Sequence, residues 1–150
     1  MAETRPYRSR FAHSGPQQRA CHGAVAVEFA LIFPIFFALF YAIVAYGLVF
    51  TVNQSLTLAA EEGARAAVQD APDTATRITR AQDTATGVLN WLPVAAITAT
   101  ATSAPCAANP ATCITVTVSY DYANYPIVPA LPLLGIAIPA NLSAAATVQI

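Results

Sequence analysis

No lysine occurs anywhere in the chain, and its only histidines, His13 and His22, stand within the first 22 residues. Beyond them a general base would have to be a carboxylate, and Glu61, Glu62, Asp70, Asp73, Asp83 and Asp121 are scattered rather than grouped at metal-ligand spacing or as a facing catalytic pair. They read as a solvated surface. No catalytic residue, metal or cofactor is expected, and the chain is read as a non-enzyme. Basic residues are scarce too. After Gly23, Arg65, Arg77 and Arg80 stand against seven acids, the six above and Glu28, which excludes electrostatic binding of nucleic acid. Charged residues of both signs make up 10% of the 150 residues. An ordinary soluble domain carries roughly 25%, so the shortage points to a membrane or assembly context.

Hydrophobic residues fill the space, at 56%, and they are concentrated. Phe29 to Phe50 (FALIFPIFFALFYAIVAYGLVF) contains no charged residue and no Ser, Thr, Asn or Gln. As a helix it covers about 33 Å, enough to cross the hydrocarbon core of a bilayer. Arg5, Arg8, Arg10 and Arg19 precede it with a single acid, Glu3. That bias keeps the N-terminus cytoplasmic and places everything after Phe50 outside. Residues 1–22 mix Arg, Pro, Ser, Gln and His without apolar periodicity and read as a leader. The expected organisation is a basic leader over 1–23, a transmembrane and scaffold helix over 24–70 with its span at about 29–50, and a small extracytoplasmic domain over 71–150.

The helical pattern outlasts the membrane run. Val52, Leu56, Ala59, Ala60, Gly63 and Ala67 form one stripe at spacings of three and four, while Asn53, Gln54, Glu61, Glu62 and Arg65 lie elsewhere. Glu61 and Arg65 stand at i, i+4 in the favourable orientation, and Pro72 supplies a stop. A second helix is expected from about Asp73 to Leu92, with Ile78, Ala81, Ala85, Val88 and Leu92 on its buried face, Arg77, Arg80 and Asp83 facing away, and Pro93 ending it. The period then changes to two. Ile114, Val116, Val118, Tyr120 and Tyr122 alternate with Thr115, Thr117, Ser119 and Asp121, and Leu142, Ala144, Ala146, Val148 and Ile150 alternate likewise. Val94 to Thr102 reads as a weaker strand, with Ile97, Ala99 and Ala101 inward. The fold class is therefore α+β: a long N-terminal transmembrane helix continuing into a pilin-like domain with a second helix and a short antiparallel sheet. Between the strong strands, Tyr125 to Pro139 (YPIVPALPLLGIAIP) is an apolar loop broken by four prolines, which excludes a central strand. Two readings fit it, a contact surface or a loop folded over the sheet.

Cys106 and Cys113 bracket the short segment Ala-Ala-Asn-Pro-Ala-Thr in the exported part. An oxidising compartment favours a disulfide there over a pair of small buried residues, and no histidine follows that could complete a zinc site. Cys21 follows Gln-Arg-Ala rather than an apolar stretch, so it is not a lipoprotein-type cysteine. Glu28 is the most informative single residue. A carboxylate at the head of an apolar run costs several kcal/mol unless it is paired or reaches the interface. It either snorkels to cytoplasmic headgroups or serves a purpose tied to Gly23, five residues earlier. Pro34 either kinks the helix or is a tolerated membrane proline, and Gly63 marks either a close approach of the sheet or an alanine lost by drift.

Gly23-Ala-Val-Ala-Val-Glu28-Phe, with basic residues before it and an apolar run after it, resembles the type IV prepilin processing signal. Closer still, Gly23 to Ala30 with Pro34, followed by Ala59, Ala60, Glu62, Gly63, Ala64 and Arg65, resembles the TadE-like minor pilins or pseudopilins of the tight adherence (Flp pilus) machinery. The resemblance is specific from Gly23 to about Val68. It implies cleavage between Gly23 and Ala24 by a prepilin peptidase, an assembly role for Glu28, and location in the inner membrane or in an extracellular pilus. Partners implied are other pilin or pseudopilin subunits, an inner-membrane assembly platform and the lipid bilayer. The chemistry agrees: cutting after Gly23 leaves an ammonium on Ala24, which needs a partner at similar depth in a bundle of apolar helices, and Glu28 of a neighbouring subunit can supply it. Such a pair would also fix axial register. Two other classes remain, a single-pass anchor carrying a small binding domain and a secreted enzyme or effector. The second would need a shorter apolar core directly followed by a small-residue cleavage site, and here the nearest one, around Ala59 and Ala60, lies nine residues beyond the run.

Overall fold

A computed structural model describes residues 22–107, 111–129 and 139–150. Its elements are helix α1 (His22–Val68), helix α2 (Thr74–Val88), a 3-10 turn (Val94–Ala96) and strands β1 (Ile97–Pro105), β2 (Thr112–Asp121) and β3 (Asn141–Gln149). The chain divides into two compact units, Met1–Ala38 and Leu39–Ile150. In the first, the described residues are the opening of α1, where Phe29, Phe33 and Phe37 stack in succession at centroid distances of 5.2 and 6.0 Å. That is the i, i+4 ridge of a helix. The helix is continuous through Pro34.

The second unit is built on an antiparallel sheet of order β1-β2-β3. Both ladders run without interruption over nine pairs, from Ile97↔Tyr120 to Pro105↔Thr112 and from Cys113↔Gln149 to Asp121↔Asn141. Alternation decides the faces. Ile114, Val116, Val118 and Tyr120 of the central strand are fully buried, and Thr115, Thr117 and Ser119 between them face outward. Against the inner face lie Val52, Leu56, Ala59, Ala60, Ala64 and Ala67 of α1 with Ala81 and Ala85 of α2 and Leu89 just past its end. β1 lies against α2, with Ile97 and Ala99 half-buried and Ala101 buried.

Several boundaries differ from the sequence expectation, each for a local reason. α1 ends at Val68 rather than near residue 70, because Gln69 bonds back to Ala66 O (3.3 Å) and closes a tighter last turn. α2 stops at Val88 rather than Leu92. Leu89 N–H bonds to Thr86 O and Leu92 N–H to Leu89 O, so the chain winds tightly and sends both leucines into the core. The weak strand begins at Ile97, not Val94, after the 3-10 turn, and runs to Pro105. Ile150 lies past the end of β3 and is exposed. Arg65 pairs with Glu62 at 3.0 Å, not with Glu61, because i, i+3 neighbours share a helix surface as readily as i, i+4 ones.

Arg77 and Arg80 do not face away from the structure. Arg77 Nη1 donates to the carbonyls of Ala67, Val68 and Gln69 at 3.0, 3.3 and 3.0 Å, and Arg80 Nη1 to Asp70 O at 3.0 Å. The last carbonyls of a helix lack intrahelical partners and carry negative partial charge, so the Arg77 guanidinium of α2 caps α1, and Arg80 ties down the chain just past its end. α2 has a cap of its own: Asp73 Oδ1 accepts from Thr76 N–H at 2.7 Å. The Thr76 side chain, and after it that backbone contact, hold the Asp73 carboxyl below its ordinary value.

Candidate processing and assembly site

Gly23 sits in the first turn of α1, and a Cβ added there would meet nothing within 4 Å. A glycine is not required at this position by packing in the described structure. Glu28 follows just over one turn later on the same helix; it is exposed and, among the described residues, has no hydrogen-bond or ion-pair partner. Gly23 and Glu28 thus share an accessible helical segment whose neighbours Val25, Val27, Phe29 and Leu31 are apolar and exposed. Ala24 belongs to the backbone of that first turn. An exposed carboxylate followed by exposed Phe and Leu is a poor solution in water and a workable one where lipid and neighbouring helices surround it. α1 is the one helix, among the described residues, long and apolar enough to cross a membrane.

The second half of the motif reads differently. Ala59, Ala60, Gly63 and Ala64 are all buried, whereas Glu62 and Arg65 form the surface pair. A Cβ on Gly63 would stand 2.8 Å from Ala81 O, 3.1 Å from Ala85 Cβ and 3.1 Å from Val116 Cγ1. At the Ala-Ala-x-Glu-Gly-Ala-Arg segment α1, α2 and β2 therefore approach closely, and small residues are what permits it. The close approach at Gly63 is made by a helix backbone as well as by the sheet.

Cys106 and Cys113 are joined in a disulfide with Cα atoms 5.1 Å apart. Cys113 pairs with Ala104 at the tip of the β1-β2 hairpin, and Cys106 N–H bonds to Ala111 O at 2.9 Å, so the bridge closes the hairpin just past its last pairs. Among the described residues no three His, Cys, Asp or Glu side chains gather as a metal site. The arginine caps and the tyrosine contacts of the β2-β3 connection had no signal in sequence periodicity, because each joins residues of separate elements.

Residues 23–65 match the family model described as TadE-like protein. The match opens on Gly23 and closes on Arg65, the two ends of the motif pair that the sequence presents. It covers most of α1 and leaves α2 and the sheet outside. The family is a structural, non-enzymatic one of pilin-like proteins. No curated protein and no solved structure matches the chain.

Proposed function

We propose that this TadE-like chain is a minor pilin or pseudopilin of a tight adherence system, made as a precursor and cut between Gly23 and Ala24 by a prepilin peptidase. The observation that carries the reading is a family match that begins on Gly23, at the head of an apolar helix with an accessible carboxylate at Glu28. The precursor sits in the inner membrane with its N-terminus cytoplasmic and the α+β domain outside. After cleavage the new ammonium of Ala24 and the Glu28 carboxylate of an adjacent subunit, both held at the same depth in an apolar bundle, neutralise each other. A wrong axial offset leaves one of them unpaired in a low-dielectric medium, so the pair sets register as well as contact. The assembly platform of the inner membrane and other pilin subunits are the partners.

N-terminal sequencing of the membrane-bound protein from a host with an active prepilin peptidase tests the processing step, and the expected first residue is Ala24. Retention of residues 1–23 removes the main support for the reading and leaves a plain anchor. Glu28→Ala and Glu28→Gln test the assembly step against Gly23→Leu as the uncleaved reference. Both Glu28 variants should insert and be cut, since the apolar run is untouched, yet lose crosslinking to partner subunits. Gln keeps the size and hydrogen-bonding capacity of Glu, so a normal yield with Gln would show that charge is not the agent.

A further inference from the structure

Three tyrosine hydroxyls converge on the backbone of the apolar connection between β2 and β3. Tyr120 donates to Tyr125 O at 2.8 Å, Tyr122 accepts from Val128 N–H at 3.3 Å, and Tyr41 of α1 donates to Pro129 O. The connection enters this arrangement through a tight turn. Asp121 accepts from Asn124 through both backbone and side chain, and its own carbonyl accepts from Tyr125 N–H. Ile127 and Val128 then pack onto the core. Burial, with Tyr122 and Asp121 alongside, pushes the Tyr120 phenol above its ordinary value.

The composition of this connection is unusual for a loop in water. From Tyr125 to Pro139 it has no charged residue and no Ser, Thr, Asn, Gln or His, and Pro126, Pro129, Pro132 and Pro139 bring no backbone donor. Non-helical backbone is costly in hydrocarbon because each unpaired N–H or C=O costs several kcal/mol. Removing donors with proline and satisfying carbonyls with tyrosine hydroxyls lowers that cost directly. The position of the two described ends fits the same environment. Pro129 meets Tyr41, nine residues before the end of the apolar run at Phe50, or about 13 Å back along the helix axis. Pro139 lines a cleft of about 430 Å³ with Tyr46, Val49 and Phe50. Around them Phe40, Ile43, Val44, Tyr46 and Phe50 are exposed and apolar, so the surface of the span continues onto Pro129 and Pro139.

We propose that residues 125–129 and Pro139 lie in the acyl-chain region of the outer leaflet beside α1, giving the domain a second membrane contact that enters the bilayer without crossing it. The proposal rests on the reading of α1 as a membrane span. Its ligand is lipid hydrocarbon. A partner protein docking on the same surface in water is the competing occupant, and it gives a different result below.

The test uses the full chain in phosphatidylcholine vesicles with and without bromine on the acyl chains, which quenches tryptophan on contact. Trp91, the only tryptophan, is replaced by Phe, and one tryptophan is returned at Pro129, Pro139, Phe50 or Val68, all exposed positions. Val68 lies eighteen residues beyond Phe50, about 27 Å along the helix, and serves as the water-side reference. P129W and P139W should each lose about half their emission in brominated lipid, as F50W does, while V68W is unchanged. The two loop sites are read independently, so a fold defect in one, seen as lost disulfide formation, leaves the other decisive. Quenching of F50W without quenching of P129W or P139W overturns the proposal and leaves the span in place, with water or a protein against the loop. No quenching at F50W, P129W and P139W overturns both.

Discussion

Replacing Gly63 with alanine sets two effects of comparable size against each other, and the structure decides between them. Alanine is the better helix former by about 1 kcal/mol, so on propensity alone the change stabilises α1. The added Cβ, however, would stand 2.8 Å from Ala81 O and 3.1 Å from both Ala85 Cβ and Val116 Cγ1. The nearest atom is a backbone carbonyl in the middle of α2, which cannot rotate aside. Relief requires α2 to move away from α1, loosening Ala81 and Ala85, both fully buried. Overpacking of this kind costs about 1 to 3 kcal/mol, and the upper part of that range applies when backbone must move. The net expectation is a loss of about 1 to 2 kcal/mol. For a unit of this size that lowers the melting temperature by about 4 to 10 °C. The assay is thermal unfolding of the micelle-bound chain followed by Trp91 emission, with Gly87→Ala as the internal control. Gly87 lies in α2 with nothing within 4 Å of an added Cβ, so there propensity should act alone and the protein should hold or gain stability. The penalty at Gly63 should shrink in an Ala85→Gly background, since one of the three contacts is gone. A Gly63→Ala protein melting at or above the parent would refute the close approach of the three elements.

Arg77→Met removes the guanidinium that meets three carbonyls at the end of α1 and should cost about 1 to 2 kcal/mol, with hydrogen exchange rising first at residues 66–70. Cys106→Ser with Cys113→Ser opens a small loop and should lower stability by about 2 to 3 kcal/mol without abolishing the fold, measured by the same thermal assay. The carboxyls of Asp73 and Asp121 lie below their ordinary value, held there chiefly by the side chains of Thr76 and Asn124 and then by the backbone N–H groups of the same residues. A depressed folded pKa gives stability that is present above the unfolded value and lost as pH falls. Melting temperature should therefore decline from about pH 5 downward and flatten in Asp73→Asn, which still caps α2 at neutral pH.

Periodicity located the elements because this domain obeys it closely. The alternation from Ile114 to Tyr120 reappears as the buried face of the central strand, with Tyr122 buried in the turn just past its end, and the α1 stripe from Val52 to Ala67 reappears as the wall against which the sheet packs. The boundaries that moved are those where a tertiary contact outweighs a local pattern. Leu92 is at the right spacing to continue α2, but a chain that turns after Val88 buries Leu89 and Leu92 together, and that burial decides the end of the helix. Pro93 is then a stop for a helix that has already ended. Arg77 and Arg80 show the same limit. On a helical wheel they lie off the apolar stripe, and nothing in a wheel reveals that the open end of another helix lies within their reach.

The family motif becomes legible in physical terms once its halves are seen to answer different demands. A Cβ on Gly63 would meet three atoms at 3.1 Å or less, so its identity follows from the fold of this chain alone. Gly23 has open space around it and Glu28 has no partner among the described residues, so neither identity follows from that fold. A small residue without a packing reason and a charge without a partner, just over one turn apart at the head of an apolar run, direct the explanation to something outside the single chain. Under the proposed function, a processing enzyme that must reach the backbone at Gly23 would account for the first, and a neighbouring subunit carrying a positive charge for the second. The two experiments therefore separate cleanly. Substitution at Gly63 should be felt by the isolated subunit, whereas substitution at Gly23 or Glu28 should leave its melting temperature unchanged and be felt only in cleavage or assembly. A Glu28→Gln subunit that melts several degrees away from the parent would mean that the carboxylate serves the fold of the single chain after all, and the assembly reading would lose its physical basis.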